Sequence, residues 1–112
     1  MNYKSGVPSD EEFTVDDTET ILDLIADDDI RALFQHAKTP KTIPELATEC
    51  GLPRSTAYRK VKRLVSTELL VPVKDAGDEN GNATAYQRAV SGVEINIDDE
   101  TTIGRMDENG RE

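Results

Sequence analysis

One run, residues 43–64, narrows what this chain can fold into more than any other. It reads Ile43-Pro44-Glu45-Leu46-Ala47-Thr48-Glu49-Cys50-Gly51-Leu52-Pro53-Arg54-Ser55-Thr56-Ala57-Tyr58-Arg59-Lys60-Val61-Lys62-Arg63-Leu64. Ile43, Leu46, Ala47 and Cys50 fall at the i, i+3, i+4, i+7 spacing of one helical face. Pro44 suits the first turn of that helix, where its missing N–H is no loss. Gly51 suits a left-handed C-terminal cap, and Pro53 opens a further helix. A helix, a Gly-marked turn and a second helix rich in cations form the pair that presents one helix to a DNA major groove.

The surrounding sequence supplies the rest of such a domain. Ile21, Leu22, Leu24 and Ile25 predict a short helix ending near Asp27-Asp28-Asp29. Those aspartates suit an N-cap and the positive end of the next helix. Ile30, Leu33, Phe34 and Ala37 form that helix's apolar stripe, which Pro40 stops. Residues 42–43 read as a short extended lead-in. After the cationic helix, residues 69–74 read as a strand, residues 75–82 carry the turn residues Gly77, Asn80 and Gly81, and residues 83–90 return as a second strand. Pro72 argues for a sheet edge. The alternation of Val93, Ile95 and Ile97 marks a last short strand. The expectation is an α+β, mainly helical fold: a winged helix-turn-helix with a three-helix core and a β-hairpin wing. It spans residues 18–97, between a flexible acidic leader (1–17, lending Phe13 to the core) and a flexible acidic tail (98–112).

Charge is partitioned along the chain. The net charge is −10, yet residues 31–74 hold nine bases against three acids, a local +6. Residues 1–30 hold ten acids and one base, and residues 75–112 ten acids and three bases. Local sign decides whether a polyanion can dock. The acidic flanks and scarcity of aromatics, 4% of the chain, make a composition common in proteins that work in concentrated salt, where acidic surfaces stay hydrated; the other reading is an ordinary acidic protein with disordered tails.

The cationic helix sorts cleanly at 100° per residue. With Ala57 at zero, Val61 falls at about 40° and Leu64 at about −20°, a narrow core stripe. Ser55, Arg59, Lys62 and Ser66 lie opposite, flanked by Thr56, Tyr58 and Arg63. Arg pairs bidentately with guanine, Ser and Thr reach base edges or phosphates, and Tyr contacts phosphate or a thymine methyl. The start of such a helix reaches the bases, so Arg54, Ser55, Thr56, Tyr58 and Arg59 are the base-reading candidates. Lys60, Lys62 and Arg63 are the phosphate candidates.

Residues 21–25 (Ile-Leu-Asp-Leu-Ile), 44–47 (Pro-Glu-Leu-Ala) and 55–64 (Ser-Thr-Ala-Tyr-Arg-Lys-Val-Lys-Arg-Leu) resemble the winged-helix transcription regulators of halophilic archaea, in the broad arsenical-repressor-like (ArsR-like) group. The resemblance covers about residues 18–97. It implies a sequence-specific regulator that binds double-stranded DNA, usually as a homodimer on a pseudo-palindromic site. The dimer would use the N-terminal helix and the strand at 93–97. Metal-sensing members carry cysteine clusters or His/Asp sets, whereas this chain has only Cys50 and His36. One thiol and one imidazole do not complete a tetrahedral site, so no metal or other cofactor is expected. Asp75, Asp78 and Glu79 occupy the wing tip where cations would suit a minor groove. Either the wing stays off the DNA, or its base touches phosphate through Lys74 and Arg88.

Other chemistries find little support. The lone Cys50 excludes an intrachain disulfide and sits on an apolar stripe, which fits packing better than redox switching. His36 shows no evident partner. The acids cluster in tails and turns, with no nucleophile motif and no phosphate-cradling Gly loop, so an enzyme is not expected. No apolar run approaches the ~20 residues of a membrane span and no signal peptide opens the chain. A cytoplasmic protein without membrane contact is expected. The competing reading is a winged-helix module that docks on another protein of the transcription machinery.

Overall fold

The computed structural model describes residues 15–73 and 84–106. Among them are four helices and five strands in the order α1 (Val15–Ile25), α2 (Asp28–His36), β1 (Lys41–Thr42), α3 (Ile43–Cys50), α4 (Arg54–Ser66), β2 (Leu70–Val73), β3 (Ala85–Arg88), β4 (Gly92–Ile97) and β5 (Thr101–Met106). Helices followed by antiparallel strands give the α+β, winged-helix architecture. The described residues fall into two compact units, 21–89 and a flanking unit of residues 15–20 with 90–106.

In the larger unit, α2, α3 and α4 pack on one another as the three-helix core. Its fully buried side chains come from each periodic stripe: Ile21 and Leu24, Ile30 and Leu33, Leu46, then Ala57, Val61 and Leu64. Each helix is bounded by local chemistry. Asp27 caps α2, its carboxylate accepting from the Ile30 amide at 3.0 Å. Thr42 and Glu45 close a capping box on α3, the Thr42 hydroxyl accepting from Glu45 N and the Glu45 carboxylate from Thr42 N. Gly51 ends α3 at φ 68°, ψ 37°.

A three-stranded antiparallel sheet in the order β1-β3-β2 covers this unit. Tyr86 at its centre lies opposite Lys41 on one side and Pro72 on the other. β2 is an edge, so the absent N–H of Pro72 breaks no ladder. The turn residues Gly77, Asn80 and Gly81, the acids Asp75, Asp78 and Glu79, Lys74 and Phe13 lie outside the described residues.

In the flanking unit, β4 and β5 form a hairpin in full antiparallel register, from Gly92↔Met106 to Ile97↔Thr101. Two expectations are corrected here. The segment expected as a leader to residue 17 is helical from Val15 onward, and the segment expected as a flexible tail contains β5. The signal for β5 was faint because Ile103, fully buried, is the single large aliphatic in the strand.

Candidate nucleic-acid interface

The outward face of α4 is built by the same periodicity that buries Ala57, Val61 and Leu64. Arg54, Ser55, Tyr58, Arg59, Lys62, Arg63 and Ser66 are exposed, and Thr56 is half-buried. Pro53 precedes the helix, no side chain caps it, and its first turn holds no acid. The amides of Arg54, Ser55 and Thr56 therefore keep no intrahelical acceptor, and the positive end of the dipole is uncompensated. Both features suit an anion.

The cations separate into two groups. Arg31 pairs with Asp28 and donates to the Ile25 carbonyl at 2.6 Å. Lys41 grips both oxygens of Glu49 at 2.7 and 2.9 Å. Arg54, Arg59 and Arg63, in contrast, have no ion pair or side-chain hydrogen bond among the described residues.

Two residues expected to contact phosphate have partners within the chain. Lys60 turns inward and donates to both oxygens of Asp27, at 3.1 and 2.8 Å, and to Asp29 at 3.1 Å. Its side chain is only 16% exposed, so the ammonium is used in tying α4 to the start of α2. Hydrogen bonding to Lys60 holds the Asp27 carboxyl below its ordinary range, and the same bond raises the Lys60 pKa. Arg88 is likewise engaged. Its Nε donates to the Phe34 carbonyl and its guanidinium to the Gln35 carbonyl, both at 3.1 Å. It also lies 4.9 Å from the Phe34 ring centroid. A guanidinium satisfying the last carbonyls of α2 is a C-terminal cap. Lys74 lies outside the described residues.

Lys62 has an unforeseen setting. Its ammonium is 5.4 Å from the Tyr58 ring centroid, 5.7 Å from that of Tyr86 and 3.4 Å from the Tyr86 hydroxyl. Tyr86 was missed because nothing in a strand's alternation says which helical residue it meets. His36, for which no partner was evident, meets Glu49 at 3.1 Å. Glu49 is held below its ordinary range, first by the Lys41 bond and then by His36. Cys50 is half-buried, and burial pushes its thiol pKa up. A disfavoured thiolate fits packing.

A trihelical unit whose last helix offers a cationic, hydroxyl-bearing face, backed by an antiparallel sheet, is a helix-turn-helix domain of the DNA-binding type. Residues 20–73 match the IclR helix-turn-helix domain family. The match begins in α1 and ends with β2, so it contains α2, α3, the Gly51 turn and all of α4. It supports a DNA-binding transcription regulator of helix-turn-helix class. No curated protein matches the chain. No helix among the described residues is long and apolar enough to cross a membrane.

Proposed function

We propose that the protein is a sequence-specific transcription regulator that lays α4 in the DNA major groove. The observation that carries this reading is the sorting of cations. Arg31, Lys41, Lys60 and Arg88 are engaged by acids or carbonyls, while Arg59 and Arg63, about 40° apart on the outward face of α4, and Arg54 at its start stand unpaired among the described residues. A merely solvated surface has no reason to keep its unpaired guanidiniums on one helix.

In this reading Arg59 pairs with the O6 and N7 of a guanine. Ser55 and Thr56 contact base edges or phosphate, Arg54 reaches a base or the flanking phosphate, and Arg63 holds phosphate. The protein acts as a homodimer, matching a two-fold site. The β4 face supports this, since Ile97 is 76% exposed and Ile95 lies beside it. The acid excess belongs to a protein of concentrated salt, as in the halophilic archaeal regulators the sequence resembles.

Selection from randomised duplex DNA, followed by fluorescence anisotropy in low and molar KCl, tests the proposal. The wild type enriches a palindromic motif, and Arg59→Ala loses about 10- to 100-fold in affinity for it. No enrichment at any salt would overturn the reading in favour of a protein-docking module.

A further inference from the structure

Lys62 is set among aromatic rings rather than among acids or carbonyls. The ammonium sits within cation–π range of two rings and within reach of a hydroxyl. One ring belongs to Tyr58, a turn earlier on the same face of α4 and 53% exposed. The other belongs to Tyr86, only 6% exposed and central in the three-stranded sheet. Lys62 therefore joins an exposed ring on the candidate reading helix to a buried ring on β3.

We propose that Lys62 is a positioning residue, braced on Tyr86, that fixes the Tyr58 ring so that it reads the 5-methyl group of a thymine. This rests on the major-groove reading of α4. A tyrosine on an exposed helix face samples several rotamers, and fixing one removes entropy that binding would otherwise lose. A ring held on the outward face presents apolar carbon to the groove, and the thymine methyl is the apolar group displayed there. Cytosine and uracil present no such methyl. Tyr58 thus supplies discrimination that is independent of salt, next to the guanine contact of Arg59.

The brace is tested first without DNA. In NMR spectra of the free protein, the Lys62 Hε protons resonate upfield of those of Lys38 through the ring currents. They move back toward the Lys38 position in Tyr58→Leu. Coincident Lys62 and Lys38 resonances in the wild type would overturn the brace.

The reading role is then tested on the selected motif by replacing each thymine with deoxyuracil. The wild type loses about 3- to 10-fold at one position. Tyr58→Ala and Lys62→Ala bind the two duplexes equally, and Lys62→Arg, which keeps a cation over the rings, restores the difference. Tyr86→Phe, retaining the ring without the hydroxyl, weakens it. If Lys62→Ala instead loses affinity equally for both duplexes and lowers the slope of log affinity against log salt by about one, Lys62 is a phosphate contact and the proposal fails. Failure of the wild type to select any motif would overturn the DNA reading itself, and the NMR measurement separates that outcome from a missing brace.

Discussion

Arg59 and Lys60 are neighbours in sequence and opposite in setting, one exposed and one ion-paired. The helical angle decides between them: Lys60 falls at about −60° from Ala57, beside the buried stripe, whereas Arg59 falls at about 200°. That angle was legible in the sequence. What the sequence could not show is that Asp27 and Asp29, some thirty residues earlier, would stand at the same place in space. Lys60→Ala should accordingly lower stability by about 1–3 kcal/mol, between the values for exposed and buried pairs, as read by urea unfolding. Its affinity for DNA, corrected to folded protein, should stay within about twofold of wild type. Arg59→Ala should show the reverse pattern. The pair also sets a pH limit. The Asp27 pKa lies below its ordinary 3.8 in the folded chain, so its stabilisation is complete above that value and is lost as pH falls through the folded pKa. Lys60, raised above its ordinary 10.5, contributes fully below that value and fades as pH rises through its folded pKa. The tie therefore holds from about pH 4 to pH 10. Asp27→Asn, which keeps an N-cap oxygen, should flatten the loss of stability on titration below pH 4; an unchanged acid limb in that variant would show that Asp27 acts only as a cap.

At the scale of elements, α3 and α4 end in the same way with different residues. At the end of α3, the Leu52 amide bonds to the Ala47 carbonyl at 2.9 Å and the Gly51 amide to that of Thr48 at 3.3 Å. At the end of α4, the Leu69 amide bonds to Leu64 at 3.0 Å and the Glu68 amide to Val65 at 2.9 Å. Both are Schellman motifs, which need a left-handed residue. Gly51 supplies it at φ 68° and Glu68 at φ 66°. A Cβ at Gly51 would meet nothing within 4 Å, so Gly51→Ala should cost only the backbone strain, about 1 kcal/mol. Glu68→Gly should raise stability by up to about 1 kcal/mol in urea unfolding, because it relieves the same strain. No gain would mean that the interactions of the Glu68 side chain offset its backbone cost. The Gly51 end was legible since glycine signals the left-handed cap; the Glu68 end was not, since glutamate carries no such signal. The same distinction explains the strands. β2 is an aliphatic run, β3 follows it across turn residues and β4 alternates, so all three were readable, whereas β5 offers only Ile103 and the terminal Met106 among Thr101, Thr102, Gly104 and Arg105.

For the whole molecule, the question is how a chain of net charge −10 binds a polyanion. Local sign answers part of it, since residues 31–74 are net positive, but the structure reduces the charge on offer. Lys60 is tied to aspartates, Arg88 to carbonyls and Lys62 to tyrosines. What remains free for phosphate on α4 is Arg63, with Arg54 and the uncapped amides at its start. Each neutralised phosphate adds about 0.9 to the salt slope, so two contacts per copy give a slope near −2, about −4 for a dimer. Had every cation from Arg54 to Arg88 met phosphate, the slope would be several units steeper and affinity would collapse in molar salt, where the screening length is about 3 Å. The acidic flanks act in the same direction, repelling non-specific DNA at low salt and being screened at high salt. The expected result is a protein whose specific affinity falls about 10⁴-fold between 0.2 and 2 M KCl, with the slope near −4 that four phosphate contacts give, while its non-specific affinity is already weak at the lower end. Anisotropy titrations on the selected motif and on a scrambled duplex across that range measure both slopes. A specific slope steeper than about −6 for the dimer would mean that cations assigned here to internal ties are released to the backbone on binding, and that affinity rests on phosphates rather than on the bases.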